Sequence, residues 1–251
     1  MRLKLTIAYD GRPFKGWQMQ ACGNTVQDHI ERALEEVAKQ PVRLHGSGRT
    51  DTGVHAFGQT AHFDAPDSTT MNPYNWVPAL NTKLPATIRI MACEEVPADF
   101  HARFQAVGKV YQYELCTDPV LPPLKAGLAW HLPRLFDRDR LREALDLFVG
   151  RHDFHGFAAY RGNEQPDMDW YRTIHSIELE TLADGYRIVY QGDGFLYKMV
   201  RLLTGAALHA ANGRMRLEDL AVLLDQPEGL PFGKSPLCAP ADGLYLREVL
   251  Y

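Results

Sequence analysis

The same order of local patterns occurs in both halves of the chain: a strand pattern, an Asp-Gly turn and a stretch with helical periodicity. In the first half, apolar residues occupy every second position of residues 2–9, which predicts a strand, and Asp10-Gly11 follows. In the second half, a strand predicted over 185–191 precedes Asp193-Gly194 and an apolar helical stretch. Two halves of this build predict an α+β protein made of two similar subdomains, with a cleft between them where a binding site is common.

The spacing of apolar residues predicts helices and strands along the rest of the chain. Residues 25–39 have helical spacing, and Asn24 and Thr25 offer N-cap oxygens, with Gln27 placed as in a capping box. The Pro-rich stretch 117–133 indicates a loop near a domain junction. The other predicted helices cover 137–149, 195–212 and 217–225, and the other predicted strands cover 42–46, 58–64, 86–96, 109–116, 172–181 and 244–250.

The balance of charges limits the kind of partner that the chain can bind. It has 27 Lys+Arg against 31 Asp+Glu, a formal net charge of −4, whereas proteins that coat nucleic acid carry an excess of basic residues. A nucleic acid would therefore have to be held by a local basic patch. The hydrophobic fraction of 45% and the charged fraction of 23% are typical of a globular protein.

Several classes of protein are not supported by the sequence. Residues 1–10 lack the apolar run of a signal peptide, and no segment approaches the roughly 18 apolar residues of a membrane span, so we expect a cytoplasmic location. The cysteines form no CxxC pair, and His152 and His155 lack a metal-binding helical spacing. No Gly-Lys-Ser/Thr completes a P-loop. We therefore expect neither a metal nor a cofactor.

The densest group of reactive residue types lies in the segment 46–55. Its glycines allow unusual backbone angles and the close approach of a ligand. Arg49 precedes Asp51 by two positions, near enough for its charge to keep the carboxylate ionised, as a nucleophile or a general base requires. Considered alone, however, the composition favours a surface turn closed by an Asx hydrogen bond.

Two other features of the sequence allow both a functional and a structural interpretation. Tyr111 and Tyr113 lie on one face of a predicted strand, where they could stack on nucleic-acid bases or fill the face of a sheet. Arg201 lies inside an apolar helical stretch, where an arginine usually has a carboxylate partner. That partner could belong to a structural ion pair or to a functional site.

Residues 48–56, Gly-Arg-Thr-Asp-Thr-Gly-Val-His-Ala, resemble the active-site loop of the tRNA pseudouridine synthase A family. Further blocks of that family resemble this sequence in the same order, so the resemblance extends over residues 9–246 and favours an active-site role for Asp51 over a plain turn. These blocks are Tyr9-Asp10-Gly11, Phe14-Lys15-Gly16-Trp17-Gln18, Thr25-Val26-Gln27, Phe100-His101-Ala102-Arg103-Phe104, Lys109-Val110-Tyr111-Gln112-Tyr113, Gly194-Phe195-Leu196, Met199-Val200-Arg201, Ala239-Pro240 and Gly243-Leu244-Tyr245-Leu246.

The resemblance implies a role for each of five residues. Asp51 matches the catalytic aspartate of the family, and Arg201 matches the arginine that pairs with it. Tyr111 matches the tyrosine that stacks on the target uracil. Arg49 matches a residue that binds RNA and holds the flipped nucleotide, and Leu246 takes the place of an apolar residue beneath the base.

The resemblance also implies a fold, a reaction and an assembly. The expected fold has a central, mostly antiparallel sheet flanked by helices, with an N-terminal subdomain over 1–108 and a C-terminal subdomain over 109–251. The expected reaction isomerises uridine to pseudouridine at positions 38, 39 and 40 of the tRNA anticodon stem–loop, without metal or cofactor. The expected assembly is a homodimer that binds tRNA.

Two other functions are compatible with the same residues. A non-catalytic RNA-binding or RNA-folding protein could use stacking aromatics and arginines in the same cleft. Asp51 discriminates against it, because such a protein gains nothing from an anion facing phosphate. An Asp-dependent N-glycosidase would stop at bond cleavage and release free uracil.

Overall fold

The computed structural model describes residues 1–21, 23–134, 136–160, 168–225, 235 and 237–251. Strands and helices are mixed along the chain, which confirms the α+β class. In chain order the strands are β1 (Arg2–Tyr9), β2 (His45–Gly46), β3 (His55–Asp64), β4 (Ile88–Val96), β5 (Gly108–Cys116), β6 (Trp130–His131), β7 (Gly150–Asp153), β8 (Tyr171–Leu182), β9 (Gly185–Gly192) and β10 (Leu244–Leu250). The α-helices are α1 (Val26–Ala38), α2 (Pro73–Asn81), α3 (Arg138–Asp146), α4 (Met199–Ala211) and α5 (Leu217–Asp225).

The contacts divide the chain into two compact units. The first consists of Met1–Val107 and Tyr245–Tyr251, and the second of Gly108–Leu244. The predicted subdomains, 1–108 and 109–251, stay a prediction. These units differ from them in the position of the final strand, because β10 pairs with β3 of the first unit.

In the first unit the strand order is β4-β1-β3-β10, and β2 pairs with β3. The pairs β1–β3, β1–β4 and β2–β3 are antiparallel, whereas β10 runs parallel to β3. Leu3 of β1 lies opposite Phe63 of β3, and Phe63 packs against Trp76 of α2 with ring centroids 5.1 Å apart. All three side chains are buried, so α2 covers this face of the sheet.

In the second unit the strand order is β5-β9-β8-β7, with antiparallel pairing throughout this series, and β6 runs parallel to β5. Helix α3 packs on α4. Leu141 and Leu145 of α3 and eleven residues of α4 are buried. Phe148 and Phe157 extend this apolar core with ring centroids 5.1 Å apart. Among the described residues, no helix has both the length and the apolar character to cross a membrane.

Most predicted elements are confirmed, with shifted ends. The predicted strand over 42–46 is reduced to His45–Gly46, and the helix predicted from 195 begins at Met199, after Lys198 in a left-handed conformation with φ 60°. Helix α2 was not predicted, because Pro73 and Pro78 interrupt its apolar pattern. Pro73 is tolerated because it lies in the first turn, where its missing N–H has no partner in the helix.

Helix α1 begins with a reciprocal cap. The Thr25 side chain accepts a hydrogen bond from the Asp28 backbone N–H at 3.2 Å, and the Asp28 carboxylate accepts one from the Thr25 backbone N–H at 3.0 Å. The prediction of an N-cap at this position is confirmed for Thr25, with Asp28 rather than Gln27 as its partner in the capping box. Two backbone donors at the helix start are thus satisfied.

We predict that Thr25→Ala lowers the free energy of unfolding by about 1 kcal/mol, because one capped donor then loses its acceptor. Urea denaturation followed by circular dichroism measures the change. Thr70→Ala, at an exposed position, is the control and leaves the midpoint unchanged. Equal midpoints for the two variants would contradict the capping role.

On the sheet face opposite α2, the first unit carries a cluster of histidines. The His62 ring lies 5.0 Å from that of His45 and 4.7 Å from that of His101. Its Nδ1 accepts a hydrogen bond from the Ala102 N–H at 3.2 Å, which requires the unprotonated nitrogen. Burial, together with the positive charges of His45, His101 and Arg2, lowers the pKa of His62 to about 4, although Asp64 acts in the opposite direction.

We predict that lowering the pH from about 7 to about 4 destabilises the fold through His62. The unfolded histidine gains a proton near pH 6.5, whereas the folded one gains it near pH 4. The stabilisation is therefore complete above about pH 6.5 and is lost as the pH falls towards 4. Unfolding free energies across this range should fall less steeply for His62→Gln than for the wild type. Parallel curves would exclude His62 as the cause.

Candidate active site

The loop between β2 and β3 carries Asp51. Val54 N–H donates to the Asp51 carbonyl at 3.1 Å, and Gly53 has φ 81°, so residues 51–54 form a tight turn. The turn expected from the composition is thus present and is closed by a backbone hydrogen bond, whereas the expected Asx hydrogen bond stays a prediction. The Asp51 side chain is half-buried, between solvent and the protein interior. A carboxylate at the start of a closed turn has a defined position, which a reactive group requires.

Residues 9–17, which we call the support segment, hold this loop. The hydroxyl groups of Tyr9 and Thr50 form a buried hydrogen bond at 2.8 Å, and the Trp17 N–H donates to the Thr50 carbonyl at 3.1 Å. Burial raises the pKa of Tyr9 far above its ordinary value, so its hydroxyl stays neutral. The residue directly before Asp51 is therefore fixed through both its side chain and its backbone.

Two glycines allow the support segment to approach the loop backbone directly. A Cβ on Gly11 would lie 2.0 Å from the Val54 carbonyl oxygen, and a Cβ on Gly16 would lie 2.8 Å from the Thr50 carbonyl oxygen. Gly16 also has φ 88°, which side chains rarely adopt. Any larger residue at either position would push the Asp51 loop away from the support segment.

His55 joins the same loop to its neighbours. It is 1% exposed, and its Nδ1 lies 3.2 Å from the Gly11 N–H and 3.3 Å from an Asp10 carboxylate oxygen. Its ring stacks on Tyr245 of β10 with centroids 4.6 Å apart. Burial opposes the ionisation of Asp10, but hydrogen bonds and charge from Arg12 outweigh it and lower the Asp10 pKa. The support segment thus carries a negative charge, at Asp10, beside His55.

Arg49 and Leu246 also belong to the first unit. Arg49 is exposed, and its Nε donates to the side-chain oxygen of Gln18, the residue after the support segment, at 3.0 Å. Leu246 is 1% exposed and lies opposite Ala56 in the parallel β3–β10 pair. The structure therefore places Arg49 and Asp51 in one loop and Leu246 beside the strand that follows that loop.

Tyr111 belongs to the second unit, on β5. It lies directly opposite Tyr190 of β9, and its ring meets Phe195 edge to face at 5.2 Å. The Tyr190 hydroxyl is hydrogen-bonded to Thr204 of α4 at 2.9 Å. Because directly opposed residues of two strands point to the same face, Tyr111 lies on the face of this sheet that α4 covers. Tyr111 is only partly buried, so part of its ring stays accessible.

Arg201 lies on α4, three residues before Thr204. Its Nε donates to the Ala239 carbonyl at 2.7 Å, and the Ala239 N–H donates to the Arg201 carbonyl at 3.1 Å. Burial raises the Tyr113 pKa, although the charge of nearby Arg201 opposes the shift, and the Tyr113 hydroxyl donates to the Pro240 carbonyl. Residues 239 and 240 thus orient Arg201 and Tyr113 together, and Tyr113 fills the sheet face as the structural interpretation predicts.

Among the described residues, one group could supply three ligand atoms to a metal ion. It consists of Cys116, Asp118 and Asp184, whose ligand atoms lie within 4.8 Å of one another. The Lys125 ammonium forms an ion pair with Asp184. A positive charge therefore already occupies the position beside this carboxylate.

The supporting residues were not predicted as part of the site. Tyr9 and His55 lie in sequence blocks that resemble the family, but no role was predicted for them or for Thr204. Tyr9 is only the last buried position of an alternating strand, and Thr204 is a polar residue inside an apolar helix. For Tyr9 and Thr204 the one available signal was that each is polar at a position where the pattern of its element expects an apolar side chain.

Comparison with known proteins adds independent information. The family model described as tRNA pseudouridine synthase matches residues 5–105 and 144–251, which include Arg49, Asp51, Arg201 and Leu246, whereas Tyr111 lies between the matched ranges. The tRNA pseudouridine synthase A of Akkermansia muciniphila is 52% identical over 253 residues, covering 100% of this chain and 95% of that protein. The protein of the same name from Bacillus pumilus is 41% identical, covering 100% and 99%. The tRNA pseudouridine synthase A 2 of Clostridium tetani is 38% identical, covering 99% and 98%.

We predict that Gly16→Ala loosens the Asp51 loop, because the new Cβ cannot coexist with the Thr50 carbonyl. The expected result is a loss of about 1–3 kcal/mol of stability and faster hydrogen exchange at the backbone amides of Trp17 and Val54. Gly23→Ala is the control, because Gly23 also has a positive φ of 63° but meets no atom within 4 Å. Unchanged exchange at both amides in Gly16→Ala would show that the support segment does not hold the loop.

Proposed function

The chain belongs to the tRNA pseudouridine synthase family, and on this premise we propose that it isomerises uridines 38, 39 and 40 of the tRNA anticodon stem–loop. It is an isomerase that forms pseudouridine in tRNA. The three positions follow from the resemblance of its sequence blocks. The observation that carries the catalytic assignment is the Asp51 carboxylate in a turn fixed by buried contacts to the support segment.

The reaction moves the uracil without changing its atoms. The bond from N1 to C1′ breaks, the ring rotates, and C5 forms a bond to C1′. N1 gains a proton and C5 loses one, so the overall composition is unchanged. The base must first leave its stack, which requires a few kcal/mol and is easiest in a loop or at the end of a stem.

We assign the catalytic role to Asp51. Its carboxylate could attack C1′, add to C6 of the ring, or remove the proton from C2′ to give a glycal. Each route requires an ionised carboxylate held at a fixed distance from the nucleotide. The hydrogen bonds of Thr50 and Val54 supply the fixed position in all three cases.

We assign substrate-binding roles to the other four residues that the resemblance identifies. An accessible face of Tyr111 would recover roughly 1–3 kcal/mol by stacking on the uracil. Arg201, whose Nε donates to the Ala239 carbonyl, matches the arginine that pairs with the catalytic aspartate in the family, and we assign it that role by resemblance. Arg49 is exposed and suited to phosphate, and Leu246 supplies an apolar surface beneath the base.

The assembly and location of the protein form part of the same proposal. We infer a homodimer from the family resemblance, in which two copies offer twice the basic surface to one tRNA. We also infer a cytoplasmic location, in agreement with a tRNA substrate. We also propose that the isomerisation uses neither a metal nor a cofactor.

We predict that Asp51→Asn abolishes tritium release from tRNA labelled at C5 of uridine, with a rate at least about a thousandfold below that of the wild type. The amide keeps the size of the side chain but removes its charge, so tRNA binding should persist. Asp67→Asn removes one charge at an exposed position of the same unit and keeps the wild-type rate. Wild-type tritium release by Asp51→Asn would exclude Asp51 as the catalytic residue.

A further inference from the structure

An exposed aromatic side chain and two arginines lie on the sheet face of the first unit that is opposite α2. Phe104 is 74% exposed, and its ring lies 4.2 Å from the ring of His101. The Arg103 guanidinium lies 5.7 Å from the centre of the Phe104 ring. We call Arg43, His45, His101, Arg103 and Phe104 the Phe104 surface.

The rings beneath this surface form a continuous support. The His101 ring contacts those of His62 and His45 at 4.7 Å and 5.8 Å, and the Ala102 N–H is bound by His62. The Tyr251 hydroxyl donates to the Ala102 carbonyl at 2.7 Å. The backbone that presents Phe104 is therefore fixed, although the ring itself is open to solvent.

The charges around the Phe104 surface are unevenly distributed. On the side of β1, two carboxylates are paired: Asp64 with Arg2 at 2.8 Å and Glu94 with Lys4 at 2.7 Å, while Asp99 acts on Arg2. Arg43 and Arg103 are both exposed. Burial is the largest cause that lowers the pKa of His45. The positive charges of Arg43, His101 and Arg2 lower it further, and Asp64 opposes them.

We propose that the Phe104 surface binds tRNA at a position away from the catalytic loop, with Phe104 stacking on a base and Arg43 and Arg103 contacting phosphates. An exposed ring flanked by arginines offers the two interactions by which proteins hold nucleic acid irrespective of its sequence, namely stacking and phosphate contact. The inference rests on the proposed function, because it takes the substrate of the enzyme as its partner.

The Phe104 surface lies away from the Asp51 loop, so tRNA bound to it would make a contact separate from that of the target uridine. Asp51 precedes the first residue of β3, His55, whereas the Phe104 surface packs on His62 near the other end of the strand. His62 follows His55 by seven positions along the strand, which corresponds to about 23 Å. We therefore expect a part of the tRNA other than the target nucleotide to contact Phe104.

The test measures binding of unmodified full-length tRNA to purified protein over a range of salt concentrations. Phe104→Ser should weaken binding by about five- to a hundredfold through loss of stacking, whereas Phe104→Tyr keeps a ring and retains the affinity. The double variant Arg43→Gln/Arg103→Gln should reduce the slope of log K against log salt by about 2. Tritium release at saturating tRNA should be unchanged in all of these variants.

Two matched controls accompany these variants. Tyr74→Ser removes an aromatic side chain that is 75% exposed, almost the same exposure as that of Phe104. Arg138→Gln/Arg142→Gln removes two charges from the exposed side of α3. Both controls should bind tRNA as the wild type does, because neither alters the Phe104 surface.

Two results would overturn the proposal. Wild-type affinity and salt slope in the Phe104 and arginine variants would show that tRNA does not contact this surface. A change of oligomeric state in Phe104→Ser, with unchanged tRNA affinity, would show that a second copy of the chain covers it. Tritium release by the wild type keeps this test separate from the proposed function: an enzyme that isomerises uridine but ignores these substitutions refutes only the second contact.

Discussion

The direct contact between the support segment and the Asp51 loop is the constraint on which the rest of the candidate site depends. Gly11 and Gly16 bring two stretches of backbone together at distances that no side chain allows. The Tyr9–Thr50 and Trp17–Thr50 hydrogen bonds then hold the loop at the residue before Asp51. Because these partners are buried or belong to the backbone, water cannot readily replace them, and the backbone next to Asp51 keeps its position.

The two units attach their functional segments to the sheet by similar means. In the first unit Tyr9, at the end of β1, is hydrogen-bonded to Thr50 beside Asp51. In the second unit Tyr190 of β9 is hydrogen-bonded to Thr204 on the helix that carries Arg201. Burial raises the pKa of both tyrosines, so each hydroxyl stays neutral and can keep its bond. Each tyrosine precedes an Asp-Gly pair in the sequence, so the similar order of patterns in the two halves corresponds to a similar hydrogen bond in the two units.

The sequence predicted the α+β class, most helices and strands, and a reactive loop around Asp51. Alternation and helical spacing suffice for these features because they record which side of each element is buried. The assignment of Asp51 needed the resemblance, since a ten-residue loop of glycine, threonine and serine is also an ordinary turn. The supports at Tyr9 and His55 could not be predicted, because their partners are distant in the sequence and depend on the packing of β1 and β3. Helix α2 was missed because its prolines hide its periodicity.

The central proposal is that Asp51, in the loop held by the support segment, catalyses the conversion of uridines 38, 39 and 40 of tRNA to pseudouridine. It is tested most directly by mapping pseudouridine in tRNA from cells that lack this protein, before and after restoring the wild type or Asp51→Asn. The account predicts that pseudouridine is absent at these three positions in the deficient cells, returns with the wild type and does not return with Asp51→Asn. Pseudouridine that persists there without the protein, or returns with Asp51→Asn, would contradict it.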